Sequence, residues 1–186
     1  MRRTGTPQPK IDKKYIGVFV FAVLFSWIFH ELAHLAAGKF LDYDMKMTLN
    51  SAYPREGKYL SDLHYHIISA AGPLFTLSEA ILVFTLMYWR KRLLLYPFLF
   101  TCFYMRLLAM IISFFNPNDE ARISTAMDIG KFTLPLIVSG ILFYMVYKIS
   151  SRYAFSQKFN LANLGLAIVF TSLIILSDMF FHINLI

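Results

Sequence analysis

Residues 15–39 read YIGVFVFAVLFSWIFHELAHLAAGK. From Tyr15 to Phe29 there is no charged side chain; His30, Glu31 and His34 then arrive together. A helix crossing the hydrocarbon core of a bilayer needs roughly 20 apolar residues, and the run from Tyr15 to about Ala37 supplies them. Ionisable groups inside such a run are costly and mark function by default. This stretch therefore predicts a membrane-spanning helix with a chemical site in its last third.

Four more apolar runs follow: about His64 to Trp89, Leu93 to Phe115, Phe132 to Ile149 and Leu161 to Ile186. Arg90-Lys91-Arg92, the polar stretch 116–131 and the connector 150–160 separate them. The chain has 186 residues, 58% hydrophobic and 16% charged, against about 25% charged in ordinary soluble domains. That balance excludes a disordered chain, a coiled coil, a collagen-like fibre and an ordinary soluble globule. The expected fold is an all-α integral membrane protein of about five transmembrane helices, multi-pass in the cell membrane. Tyr43, Met45, Met47 and Leu49 alternate with Asp44, Lys46 and Thr48, a strand period, so a short β-hairpin is expected after the first helix. The lone cysteine, Cys102, rules out a disulfide framework.

The net charge of +7 is read through its placement. The lipid bilayer is the expected partner and nucleic acid is not. The tail, residues 90–92 and residues 148–160 carry 11 Lys and Arg; the opposite side carries six. Positive charge collects on the cytoplasmic side. This reading puts the N-terminus in the cytoplasm and the His30–His34 end of the first helix at the opposite face.

His30 and His34 are four residues apart and share one helix face. Two imidazoles at that spacing can grip one zinc ion, and Glu31 is placed to act as general base on a water beside it. The bland alternative is a pair of interfacial histidines. A catalytic zinc takes three protein ligands and keeps one open position. The third must come from the same membrane face, where the third span ends in Asn116-Pro117-Asn118-Asp119-Glu120-Ala121-Arg122-Ile123. Asp119 is the favoured ligand, Asp128 the runner-up, and Glu120 a weaker choice. Asn118 or Asp119 can also cap a short helix over 119–129.

With these motifs in view, the chain resembles the site-2 protease family of intramembrane zinc metalloproteases. His30-Glu31-Leu32-Ala33-His34 is followed by Ala36-Ala37-Gly38. Ala70-Ala71-Gly72-Pro73-Leu74 is similar to the family's Ala-Gly-Pro-Leu segment. Asp119, Arg122 and Ile123 keep the spacing of its Asp-Gly-Gly-Arg-Ile turn, with Glu120-Ala121 in place of the two glycines; Met127-Asp128-Ile129-Gly130 resembles its Met-Asp-Gly-Gly. The resemblance spans roughly residues 20–130. It implies a three-span zinc protease core, 15–132, to which the charge and hydropathy reading adds a basic tail at 1–14 and two additional transmembrane helices over 133–186. It also implies hydrolysis of peptide bonds in membrane-anchored substrate proteins, with Glu31 catalytic and His30, His34 and Asp119 holding one zinc ion. A membrane-associated β element and a site near the cytoplasm are implied too, the latter against the charge reading.

The other readings are a catalytically silent scaffold of the same fold that binds membrane proteins, and a metal transporter. The second is disfavoured because the ionisable residues gather at one face. Glu79 and Arg106 fall at similar depth and are expected to pair. Asp178 and His182 are expected to form a pair on the last helix. Gly72-Pro73 is expected in a first helical turn. His64 and His66 are expected on an extended stretch, with at most one facing the site, and Met45, Met47, Met105 and Met110 in packing.

Overall fold

The computed structural model describes residues 9–90, 92–181 and 183–186. Asp12 opens α1 (Lys13–Phe40): its side chain accepts a hydrogen bond from Tyr15 N at 2.8 Å, satisfying a donor that the helix leaves free. A hairpin follows, β1 (Met45–Met47) antiparallel to β2 (Ala52–Pro54), with Lys46 opposite Tyr53. Then come α2 (Asp62–Arg90) and, after a 3-10 turn at Leu93–Leu95, α3 (Tyr96–Ile112). The short α4 (Asp119–Ala126) precedes α5 (Thr133–Arg152) and α6 (Gln157–Phe181). All but α4 of these helices are long and apolar enough to cross a membrane, consistent with a multi-pass membrane protein.

One apolar core joins these five. Phe19 and Val23 of α1, Met87 of α2, Leu99 of α3, Leu142 of α5 and Ala167 of α6 belong to it. The outer faces are apolar as well: Phe21, Leu82, Leu136, Phe143, Leu161 and Leu173 are exposed. A helix that is hydrophobic all round suits burial in a large core or a membrane rather than a water-facing surface.

The hairpin falls where the alternation predicts it. Met45 and Met47 turn inward and are buried. Gly38 permits this contact, since a Cβ there would run into the Met45 side chain.

Several expectations are corrected. α2 begins at Asp62, so His64 and His66 lie in a helix rather than on an extended stretch, and His64 Nδ1 meets Tyr43 Oη at 3.0 Å. Pro73 sits in the interior of α2 rather than in its first turn. The last apolar run does not stay helical to its end. After α6, the segment 183–186 lies along β1, with Met47 N donating to Ile186 O (3.1 Å) and Leu185 N to Met47 O (2.9 Å). His182 lies outside the described residues. Asp178 accepts from Thr48 Oγ1 and Leu49 N, both at 3.0 Å. α6 thus clamps the hairpin tip.

Asp178→Ala should therefore loosen the hairpin. Each hydrogen bond to a carboxylate is worth about 1.5–3 kcal/mol, so amide exchange over residues 45–54 should accelerate about tenfold or more while exchange in α2 stays the same. Unchanged protection of the hairpin would show that the clamp does not hold it.

Candidate metal centre

His30 and His34 lie on the face of α1 that meets α2 and are 4% and 6% exposed. Their orientation is set by one stretch of α2. His34 Nδ1 is 2.6 Å from the carbonyl oxygen of Ile68, which can only accept, so Nδ1 carries the proton. Thr76 Oγ1 donates to Gly72 O (3.1 Å) and so accepts from His30 Nδ1 at 3.0 Å. With both protons on Nδ1, each neutral imidazole turns a lone pair on Nε2 toward the same point. Gly72 makes the approach feasible, because a Cβ there would overlap His34 Nε2 and the His30 ring.

Asp119 completes the group from α4. Ser113 Oγ, which caps the end of α3 by donating to Ala109 O, accepts from Asn118 N at 3.0 Å. Asn118 Oδ1 in turn accepts from Asp119 N at 3.0 Å and caps α4. This turn folds α4 back over the end of the bundle. Asp119 Oδ2 then stands 3.4 Å from His30 Nε2 and 3.5 Å from His34 Nε2, and the two Nε2 atoms are 3.1 Å apart. Asp119 Oδ1 pairs with Arg122 Nη2, and the Arg122 guanidinium lies over the Tyr65 ring.

These three atoms are a group that could hold a metal ion. They are lone-pair donors at close range, and a shared proton could bridge only two of them, whereas a cation satisfies all three. The edge of a tetrahedron with zinc–ligand bonds of 2.0–2.2 Å is about 3.3–3.6 Å, close to the spacings found here. The donor set, two imidazoles and a carboxylate, also suits zinc.

Comparison of the chain with protein-family models, with curated proteins and with solved structures finds no match.

The remaining candidates fall as follows. Glu31, 6% exposed, lines a cavity of about 430 Å³ together with His30, His34, Asp119, Arg106 and Tyr53 of β2. Asp128 lies outside the cluster, in the exposed turn after α4, at a left-handed φ of 55°. Glu120 is buried beside Asp119 but bonds to Arg106 Nη1 at 3.0 Å. The expected Glu79–Arg106 pair does not form: Glu79 Oε1 accepts from Ser26 Oγ at 2.8 Å. The reason is the return of α4, which offers Arg106 a nearer carboxylate. Nothing in the sequence marks Thr76 or the Ile68 carbonyl as supports beyond the Gly72-Pro73 pair in their helix, α2, and nothing there marks Glu120 of α4 as the partner of Arg106.

Proposed function

We propose that this chain is an intramembrane zinc metalloendopeptidase of the site-2 protease type, acting on membrane-anchored proteins. The observation that carries the reading is the convergence of His30 Nε2, His34 Nε2 and Asp119 Oδ2 beside Glu31, in a cavity at one end of a bundle of apolar helices. Zinc held by His30, His34 and Asp119 would supply Lewis acidity, making water nucleophilic near neutral pH and polarising a carbonyl. Glu31 takes the proton of the attacking water and passes it to the departing amide nitrogen. The free base beside the donor atoms favours an enzyme over a silent scaffold.

A peptide bond inside a substrate helix is shielded by that helix's own hydrogen bonds, so the substrate must be extended first. β2 supports this step. Thr48 N bonds to Ser51 O and Arg55 N to Asp44 O, so by strand alternation the N–H and C=O of Ala52 turn to the outer edge. Asn50, Ala52 and Tyr53 line the cavity, and an extended segment can add to that edge. Pro54, which has no N–H, keeps the edge short.

The test is bound zinc per chain and cleavage of a membrane-helix substrate by the purified protein. The wild type should hold about one zinc and cleave. Asp119→Asn should lower zinc affinity by more than the roughly 10–100-fold that losing an outer partner of a metal ligand costs, while Asp128→Asn should leave it unchanged. A wild type without zinc refutes the reading, and equal loss in both variants refutes the choice of Asp119.

A further inference from the structure

Arg106 sits on α3, 5% exposed. A cation at such a place in an apolar helix is kept only if it is paired or used. Its Nη1 bonds to Glu120 at 3.0 Å and lies 3.7 Å from Asp119 Oδ2. Asp119 already faces His30, His34 and Arg122, so Glu120 is the dedicated partner. A guanidinium has five N–H donors, and most of these are unspent: Nε is enclosed without a partner, and no hydrogen bond of Nη2 is found among the described residues. The side chain lines the same cavity as His30, Glu31 and Asp119. A held cationic donor with N–H groups to spare thus lines the cavity in which, on the peptidase reading, the scissile carbonyl would lie.

A peptide carbonyl is neutral before reaction, and negative charge appears on it only as water adds. The water oxygen bonds to the carbonyl carbon, the π pair moves to the carbonyl oxygen, and the water proton goes to Glu31. The oxygen pair then re-forms C=O as the C–N bond breaks, and the nitrogen takes the proton from Glu31. We propose that Arg106, anchored by Glu120, donates a hydrogen bond to the carbonyl oxygen while it carries that charge. This inference rests on the peptidase reading above. Glu120 fixes the guanidinium before the substrate arrives, so little reorganisation is needed when the charge forms.

The test compares wild type, Arg106→Gln and Arg106→Lys as full chains in detergent. Three quantities are read: zinc per chain, kcat and KM separately, and affinity for a phosphinate peptide, whose tetrahedral anion imitates the charged carbonyl. Loss of a fixed donor to an oxyanion costs about 10²–10³ in kcat. Arg106→Gln should show that loss with KM within about threefold, full zinc and a parallel loss of phosphinate affinity. Arg106→Lys keeps the charge without the fork and should fall between; it decides the matter if the glutamine variant does not fold, since a wild-type kcat in it would overturn the proposal. Wild-type kcat in Arg106→Gln, unchanged phosphinate affinity, or zinc lost together with activity would each overturn it, the last by making Arg106 only a support for Asp119. A wild type that neither holds zinc nor cleaves removes the peptidase reading itself, and this inference with it. A wild type that cleaves while Arg106→Gln cleaves equally removes the inference alone.

Discussion

Glu31→Gln should keep the metal and lose hydrolysis. Glu31 is buried in the wall of the cavity but is not one of the three clustered donors, so its amide should leave zinc per chain unchanged. Glutamine is nearly the same size but cannot accept the proton of the attacking water. Loss of a positioned base costs about 10²–10⁴ in rate. Measured as cleavage of a membrane-helix substrate beside zinc content, the variant should be loaded and almost silent. Wild-type cleavage would remove Glu31 from the chemistry. Loss of zinc along with activity would make it a ligand, not a base.

The second large effect is expected at a residue with no chemistry of its own. Gly72→Ala adds one methyl group, and that methyl would overlap His34 Nε2 and the His30 ring. Neither neighbour can yield cheaply. His30 is tied to Thr76 and His34 to the Ile68 carbonyl, and α1 and α2 pack together on both sides of the site, through Val23 and Val83 and through Leu35 and Ile68. Overpacking of this kind costs about 1–3 kcal/mol in a core, and here it falls on two metal donors at once. Zinc affinity should drop about 100-fold or more, the upper end of what disturbing a ligand's support costs, while helical content by circular dichroism stays near wild type. Normal zinc binding by Gly72→Ala would mean that the imidazoles meet the metal elsewhere than this geometry places them. Gly165→Ala is the matched control, since a Cβ there meets nothing within 4 Å.

Much of the fold is legible along the chain because hydropathy is local. Whether twenty successive residues can lie in hydrocarbon depends on those residues and not on their neighbours in space. The same holds for the relation of His30 to His34, which the helical period alone places on one face, and for the short strand around Met45 and Met47, whose alternation is visible in a few residues. Where the structure departs from local pattern, distant residues are responsible. The run ending at Ile186 looks like uninterrupted helix, but its last residues leave the helix to pair with β1, a partner more than a hundred positions away. His64 and His66 are helical because α2 already starts at Asp62, ahead of the apolar run, where an acidic residue suits a first turn.

Arg106 is the clearest case at the site. Depth along the helices made Glu79 look like its partner, since depth is nearly all that a sequence conveys about a buried charge. Its partner is Glu120, because the turn at Ser113 and Asn118 brings α4 back over the end of the bundle. Five long apolar helices, a hairpin after the first, and a face of α1 bearing two imidazoles with a carboxylate next to one of them are all written in the order of residues along the chain. Which aspartate meets those imidazoles, the orienting of both rings by a carbonyl and a hydroxyl of α2, the glycine that stands against them, and the carboxylate that holds Arg106 all come from packing in three dimensions. The first set follows from periodicity and transfer free energy, which act within a few turns. The second depends on how helices cross and where a connecting turn returns, and no local pattern of residues encodes those distances.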